Sequence, residues 1–493
     1  MRQPIIKVSL LLVLLNVSAT GYAGGDTVRL TMSDVIRMAQ ESSPQAVQAR
    51  NSFESAWLSY RSYKAEMLPS LSLSSSPSLN RTTNYVTLPD GSEQYVRSNS
   101  MRNNVSLDLT QNIWLTGGQI SLSSNLSRLD QLGDNSTHSY YTQPLQLTIS
   151  QSLNGYNTFK WSRKMEPIEY RMARKQYAET MELVASQATS VFFNMVSAQT
   201  DLDIARLNMA ATDTLYTYGL GRYNIGTITE NELLQLELNK LNQETSIMSS
   251  EMSFDDAVDQ LRNFLNLTSD TQIEVITTDS IPHFTVPLDQ AMELARQNSP
   301  DIESMELNRL SSESNLAYYQ SQAGFKASVY LSLGLAQTAD ELPESFHNLN
   351  DEQSVRVSIS IPILDWGRAR GRVRIAQNNL ELTNMRIEQN QVNFEKTVAR
   401  TVNQFNMQER QVEIAKRTMT TAQHRYEVAR HLYVNGNSTI LDLNSAITAK
   451  DSAYRGYISA LSRYWQLYYT IRSLTGYDFM NNELIEQQVE YGR

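Results

Sequence analysis

Two periods of apolar residues alternate along this chain. In its last third a large side chain returns every seventh position, at Val398, Phe405, Val412, Met419, Tyr426 and Tyr433, with Ala415, Ala422 and Ala429 three residues after the later ones. A large residue alternating with a small one at period 3.5 predicts a coiled-coil seam in which helices approach closely. The same seam occurs earlier, at Met195, Leu202, Met209 and Tyr216, with Ala198 and Ala205 as the small partners. The helices carrying these seams are expected from about Lys160 to Tyr218, with Pro167 inside, and from about Ile375 to Val434, without proline. At 1.5 Å per residue each would span roughly 80–90 Å, well beyond ordinary globular helices. Two amphipathic helices in a globular core are the competing reading, against which the six positions spaced by sevens weigh. Each helix is expected to end at glycines, Gly219, Gly221 and Gly226 in one case and Gly436 between Asn435 and Asn437 in the other, because Gly and Asn tolerate positive φ at a helix C-terminus. The chain then returns in leucine-rich helices from Leu233 and from Leu441. Each unit is therefore a helical hairpin with a tight tip.

Upstream of each long helix the period shortens to two. Leu71 and Leu73 among serines, Leu145–Leu153, Ser328–Leu335 and Val355–Ile363 alternate apolar residues with Ser, Thr or Gln. Such alternation fits a strand with one lipid face and one wet face, as in a transmembrane barrel, or the edge of a soluble sandwich. Four strands cannot close a barrel, and open edges are not tolerated in hydrocarbon, so several chains must share one.

Both patterns occur twice. Leu30–Pro44 resembles Val286–Pro300 at an offset of 300 − 44 = 256, and the segment around Gly226 resembles that around Gly436 at an offset of 436 − 226 = 210. The first copy thus carries 256 − 210 = 46 extra residues after Pro44 and before its long helix. They fall at Val105–Trp114, Gly117-Gly118 and Ile120–Leu126, a hairpin signal with a Gly-Gly turn. This inserted hairpin is expected to project beyond the membrane; extra barrel strands are the alternative. The expected organisation is a first structural repeat over 24–280, with strands about 68–153 and a helical hairpin about 158–266. The second covers 281–493, with strands about 327–364 and a helical hairpin about 368–475.

Composition narrows the chemistry. Arg2 and Lys7, the apolar stretch Val8–Val17 and the small residues at Gly21 and Ala23 predict a secretory signal peptide over 1–23. The apolar stretch is about half the roughly 20 residues of a spanning helix. There is no cysteine, so no disulfide, thiolate metal site, catalytic thiol or lipid-bearing mature Cys is expected. The net charge of −10 argues against nucleic acid as a partner. Arg368, Arg370, Arg372 and Arg374 cluster after Gly367 and fit a solvated or headgroup-facing helix start. The five histidines (His138, His283, His347, His424, His431) form no zinc-protease motif, and there is no phosphate-binding loop and no Gly-x-Ser-x-Gly. No enzyme activity, metal or cofactor is expected.

The duplicated segments ending at Pro44 and Pro300, the strand end Ile361–Gly367, the run Gln151–Asn157 with Lys160 and Trp161, and the paired tips at Gly226 and Gly436 together resemble the TolC-like outer-membrane efflux family over essentially the whole mature chain. The resemblance implies an α+β membrane protein: a trimeric transmembrane β-barrel, four strands from each chain, continuous with a long periplasmic α-helical barrel. It implies a homotrimer in contact with outer-membrane lipid, a periplasmic adaptor protein and an inner-membrane pump. The function implied is an outer-membrane exit duct for efflux of small amphipathic compounds, or alternatively for secreted polypeptides. A coiled-coil adhesin or stalk is the remote reading, disfavoured by tips placed between helices. At the tips, Gly226, Thr227, Asn435, Gly436 and Asn437 would meet the adaptor. Asp442, six residues after the second tip glycine, would ring the periplasmic aperture, with Glu232 as its first-repeat counterpart. Ser445 stands where a second acidic residue is common in the family, and Ser438 where some members carry arginine.

Overall fold

The structure, a computed structural model, describes residues 28–87, 89–133, 136–268, 273–277 and 281–485. The signal-peptide expectation over 1–23 lies outside the described residues. The chain has an α+β fold. The elements used below are β1 (Val28–Thr31), α1 (Met32–Ser42), α2 (Pro44–Glu66), β2 (Ser70–Thr87), β3 (Glu93–Ile113), β4 (Gly118–Gln131), β5 (Thr137–Ser152), α3 (Thr158–Asn224), α4 (Glu230–Leu265), β6 (Ile273–Ile276), α5 (Leu288–Asn298), α6 (Pro300–Ala323), β7 (Lys326–Ala339), β8 (Asn350–Ser360), α7 (Arg368–Val434) and α8 (Ile440–Thr475). No described helix is long and apolar enough to cross a membrane.

The two long helices, α3 and α7, have 67 residues each, and α4 and α8 have 36 each. All four boundaries repeat at an offset of 210: 158 and 368, 224 and 434, 230 and 440, 265 and 475. Each long helix is about 100 Å at 1.5 Å per residue, longer than the sequence suggested, because Gly219 and Gly221 do not end α3 and α7 already begins at Arg368. Gly219 is a helix-interior residue whose missing Cβ leaves room for Leu236 of α4. The heptad seam is turned inward: Met195, Leu202, Val398, Phe405, Val412 and Tyr433 are buried.

Contacts divide the chain into two compact units, neither of which is one of the sequence repeats. One comprises the segment up to Pro44, Val184–Pro282 and Gln408–Gln466; the other comprises Gln45–Leu183, His283–Met407 and the segment from Leu467. The first unit holds the helix tips and a short parallel pair, β1 with β6.

The second unit holds an antiparallel sheet of six strands, in the order β2-β3-β4-β5-β7-β8. The four-strand expectation and the projecting hairpin are both corrected here. β3 pairs along its length with β2 and with β4, and β4 with β5, so the extra hairpin is part of the sheet. Its Gly117 turn lies at the end of the sheet where the strands join helices. There Asn157 donates to the Trp114 carbonyl (3.2 Å), Gln151 donates to the Thr116 carbonyl (3.0 Å), and the Arg163 guanidinium stacks 4.2 Å from the Trp114 ring centroid. Gly-Gly predicts a turn, but not which end of the sheet carries it.

The motifs that close each strand region act as joints. Asn157 accepts from the Lys160 backbone N–H at the start of α3 (3.0 Å), and Asn154 accepts from the Ala327 N–H (2.9 Å), tying the joint to β7. Asp365 accepts from the N–H groups of Gly367 (3.0 Å) and Ala369 (2.9 Å), capping α7, and these hydrogen bonds hold its carboxyl below the usual range.

Candidate functional site

Both tips are built from the same local chemistry. After α3, the Thr227 N–H donates to the Arg222 carbonyl and the Gly226 N–H to the Tyr223 carbonyl, both at 2.9 Å. After α7, the Asn437 N–H donates to the Leu432 carbonyl (2.9 Å) and the Gly436 N–H to the Tyr433 carbonyl (3.0 Å). These 6→1 and 5→2 pairs are Schellman turns, which need a left-handed residue at the fifth position. Gly226 (φ +73°) and Gly436 (φ +77°) supply it. Asn435 precedes that position and Thr227 and Asn437 follow it, so the sequence-predicted tip residues are together in the two turns.

The tips are packed against one another. Leu236, Tyr433, Ile440 and Leu443 form a buried cluster, covered by residues from both hairpins such as Tyr216 and Tyr426. The Tyr218 hydroxyl donates to the Val434 carbonyl (3.1 Å), and a Cβ on Gly436 would stand 3.6 Å from the Arg222 guanidinium. A Cβ on Gly226 would meet nothing. Around this core, Ile225 and Leu441 stay largely exposed, at 74% and 69%.

Asp442 and Glu232 sit at equivalent places, and both hold the start of a returning helix. The Asp442 N–H donates to Thr439 Oγ1 (3.2 Å), while the Thr439 hydroxyl (2.7 Å) and backbone N–H (3.3 Å) donate to the Asp442 carboxylate, as does the Ser438 hydroxyl (3.2 Å). Glu232 and Thr229 form the same reciprocal box. The signal was legible as Thr-x-x-Asp and Thr-x-x-Glu. The hydrogen bonds from Thr439 hold the Asp442 carboxyl below its usual range, so it stays charged.

The structure also shows polar links between the two hairpins that sequence reasoning missed. Asn208 of α3 donates to Asp451 of α8 (2.7 Å, buried) and accepts from Lys450 (3.2 Å), whose ammonium also lies 4.6 Å from the Tyr426 ring centroid. Arg455 donates to Asp201 (2.6 Å) and Asn239 to Asn444 (3.2 Å), while within the second hairpin Arg425 donates to Ser445 (3.1 Å). Lys240 repeats the cation–π contact on Tyr216, at the 210 offset, but pairs with exposed Asp213 (2.6 Å). The partners that join the two hairpins lie far apart in sequence, and no spacing rule joins them.

A second buried polar network lies in the sheet-bearing unit. Arg472 reaches Glu182 (2.7 Å) and Asp478 (2.8 Å), and the Tyr468 hydroxyl also donates to Asp478 (2.7 Å). Burial pushes the Glu182 carboxyl up, against the opposing pull of Arg472. One turn away, burial and then the neighbouring Asp301 raise Glu179 to about 7. A raised carboxyl means the folded state binds the proton more tightly than the unfolded chain. Its stabilising contribution is complete below pH 4.5 and is lost as pH rises through 7. Glu179→Gln is therefore expected to raise the melting temperature at pH 8 and to change it little at pH 4; equal shifts at both pH values would reject this. Among the described residues, no three His, Asp or Glu side chains gather as a metal site.

The outer membrane efflux protein family model matches residues 291–477. No curated protein sequence matches the chain. Among solved structures, the CmeC outer membrane channel of Campylobacter jejuni is similar over 90% of this chain and 85% of its own, with 14% identity and a TM-score of 0.65. CusC is similar over 93% and 95%, with 17% identity and a TM-score of 0.63. The outer membrane protein VceC of Vibrio cholerae is similar over 90% and 96%, with 13% identity and a TM-score of 0.62.

Proposed function

We propose that this chain, whose residues 291–477 match the outer membrane efflux protein family model, is an outer-membrane exit duct that works as a homotrimer with a periplasmic adaptor and an inner-membrane pump. The observation that carries this reading is the sheet. Its strands run directly into helices of 67 residues, and one of its faces is apolar across all six strands. Leu71, Leu109, Leu122, Leu147 and Leu333 follow one another across five strands in a single row. In the adjacent row, on the other face, stand Ser70, Thr110, Ser121, Thr148, Ser332 and Ser354. An apolar face against a hydroxyl-rich face suits lipid outside and water inside. Where strands meet helices, Ile363 and Trp366 are 95% and 89% exposed, with the arginine cluster at 368–374 following. Aromatic and cationic groups there suit the level of the lipid headgroups.

In this reading the four helical segments of each repeat pair line a periplasmic conduit, and the Schellman turns present Gly226, Thr227, Asn435, Gly436 and Asn437 to the adaptor. Transport through a duct requires no chemistry from the chain; energy comes from the pump. Efflux of small amphipathic compounds is the favoured cargo. A strain lacking the protein should become sensitive to dyes, detergents and bile salts with an unchanged secretome. Loss of a secreted polypeptide with unchanged sensitivity would instead assign the duct to protein export.

Three Asp442 carboxylates at the aperture would favour cations. Because Asp442 also caps α8, two variants separate the roles. Asp442→Asn is expected to abolish block of single-channel current by divalent cations, whereas Thr439→Ala, which breaks the cap and keeps the charge, should retain it. Unchanged block in Asp442→Asn would remove the aperture role.

A further inference from the structure

We propose that each chain gives six strands, not four, to the shared barrel, so that the β2 edge of one copy pairs with the β8 edge of the next and three copies close an eighteen-stranded wall (3 × 6). This rests on the trimeric duct reading above, and the occupant of the open edges is a second copy of this chain.

Four observations carry it. First, β2 and β3 are joined to the rest of the sheet by unbroken registers, eighteen residue pairs between β2 and β3 and fourteen between β3 and β4. Second, the β2–β3 hairpin has the same two faces as the rest. Leu71, Leu73, Leu79, Leu109, Leu107 and Val105 share the apolar face, and Leu71 and Leu73 are 67% and 73% exposed. On the opposite face, Ser74 hydrogen-bonds to Ser106 (2.7 Å) and Ser106 donates to Asp108 (2.9 Å). A hairpin folded into the lumen or out into solvent would place that leucine face in water. Third, the edges match. β2 begins at the helical end of the sheet and β8 ends there, so β2 of one copy meets β8 of the next antiparallel, like every other pair in the sheet. Fourth, β2 and β8 each have one unpaired edge among the described residues, with Leu71, Leu73, Val355, Val357 and Ile359 exposed along them. An unpaired edge beside an apolar face is excluded from hydrocarbon unless another strand covers it.

The consequence is a wider outer-membrane pore. At about 4.8 Å between strands and a tilt near 40°, eighteen strands give a barrel about 36 Å across the backbone, against about 24 Å for twelve. At that strand number porins leave an open aqueous lumen.

The chain has no cysteine, so introduced pairs report without background. In the full-length protein in outer-membrane vesicles, Ser72→Cys or Ser74→Cys on β2, combined with Ser354→Cys or Ser358→Cys on β8, is expected to give oxidant-dependent cross-linked oligomers. Ser121→Cys or Ser123→Cys on β4, with the same β8 partners, should give none, because β4 is paired on both sides. Cross-links from β4 in place of β2 would mean that four strands close the wall, and would overturn the proposal. So would the absence of β2–β8 cross-links in an assembled oligomer. Native mass spectrometry tests the trimer separately: a copy number other than three would reject that reading while the cross-links still decide which strands meet. A cryo-electron microscopy section with eighteen strands is the expected result, and twelve would refute it.

Discussion

Replacing Arg472 by methionine is expected to destabilise the protein by about 3–5 kcal/mol, the range for removing one partner of a buried ion pair. The guanidinium stands between Glu182 and Asp478, both almost wholly buried. Without it, two carboxylates lose the charge that opposes their desolvation, and the Tyr468 hydroxyl is left bonded to an uncompensated Asp478. Arg472→Lys should fall in between, since an ammonium cannot span both carboxylates as a planar fork does. Adding Glu182→Gln to Arg472→Met should recover part of the loss, because the neutral amide no longer needs a counter-charge. Thermal unfolding of the purified oligomer reads all three. A melting temperature for Arg472→Met equal to wild type would contradict the assignment of this network as a structural centre.

The second large effect is expected at the tips. Gly226→Trp should lower export by about tenfold or more, equivalent to about 1.4 kcal/mol of lost docking energy, while the oligomer stays assembled. A Cβ at Gly226 meets no atom of the chain, so the added ring projects outward into whatever docks there. The turn itself still needs positive φ, which costs an ordinary residue about 1–2 kcal/mol. Gly226→Asn is the control, because asparagine tolerates that backbone and adds little bulk, and it should export nearly normally. Gly436→Trp combines both effects, since the Arg222 guanidinium lies beside the position its Cβ would take. Dye efflux and susceptibility in a strain carrying each variant, with oligomer content on native gels, distinguish docking from folding. Wild-type efflux by Gly226→Trp would exclude the tip as a docking surface.

Much of the helical half was legible in the sequence because helix formation is local. The sevens at Val398 to Tyr433 and at Met195 to Tyr216 mark faces that the structure buries or half-buries, and the offset between Gly226 and Gly436 is the offset of every long-helix boundary. Glycine alone misled: Gly219 and Gly221 read as a helix end, but they lie inside α3, where Gly219 serves packing against Leu236. The local work of Asp442 was legible as well, since Thr439 three positions earlier is half of a capping box.

The sequence by itself determined the duplication, which shows when the chain is compared with itself, and the two long hairpins, the tip turns and the two-faced character of the strands, since each of these depends on residues within a few positions of one another. Only the tertiary structure decided the number of strands in the sheet, the end at which the Gly117 turn lies, and the partners of Arg472, Asn208 and Arg425. The reason is physical. A period of two says which face of a strand is apolar but not which strand lies beside it, and a buried charge is paired by whatever the fold brings near, from any distance along the chain.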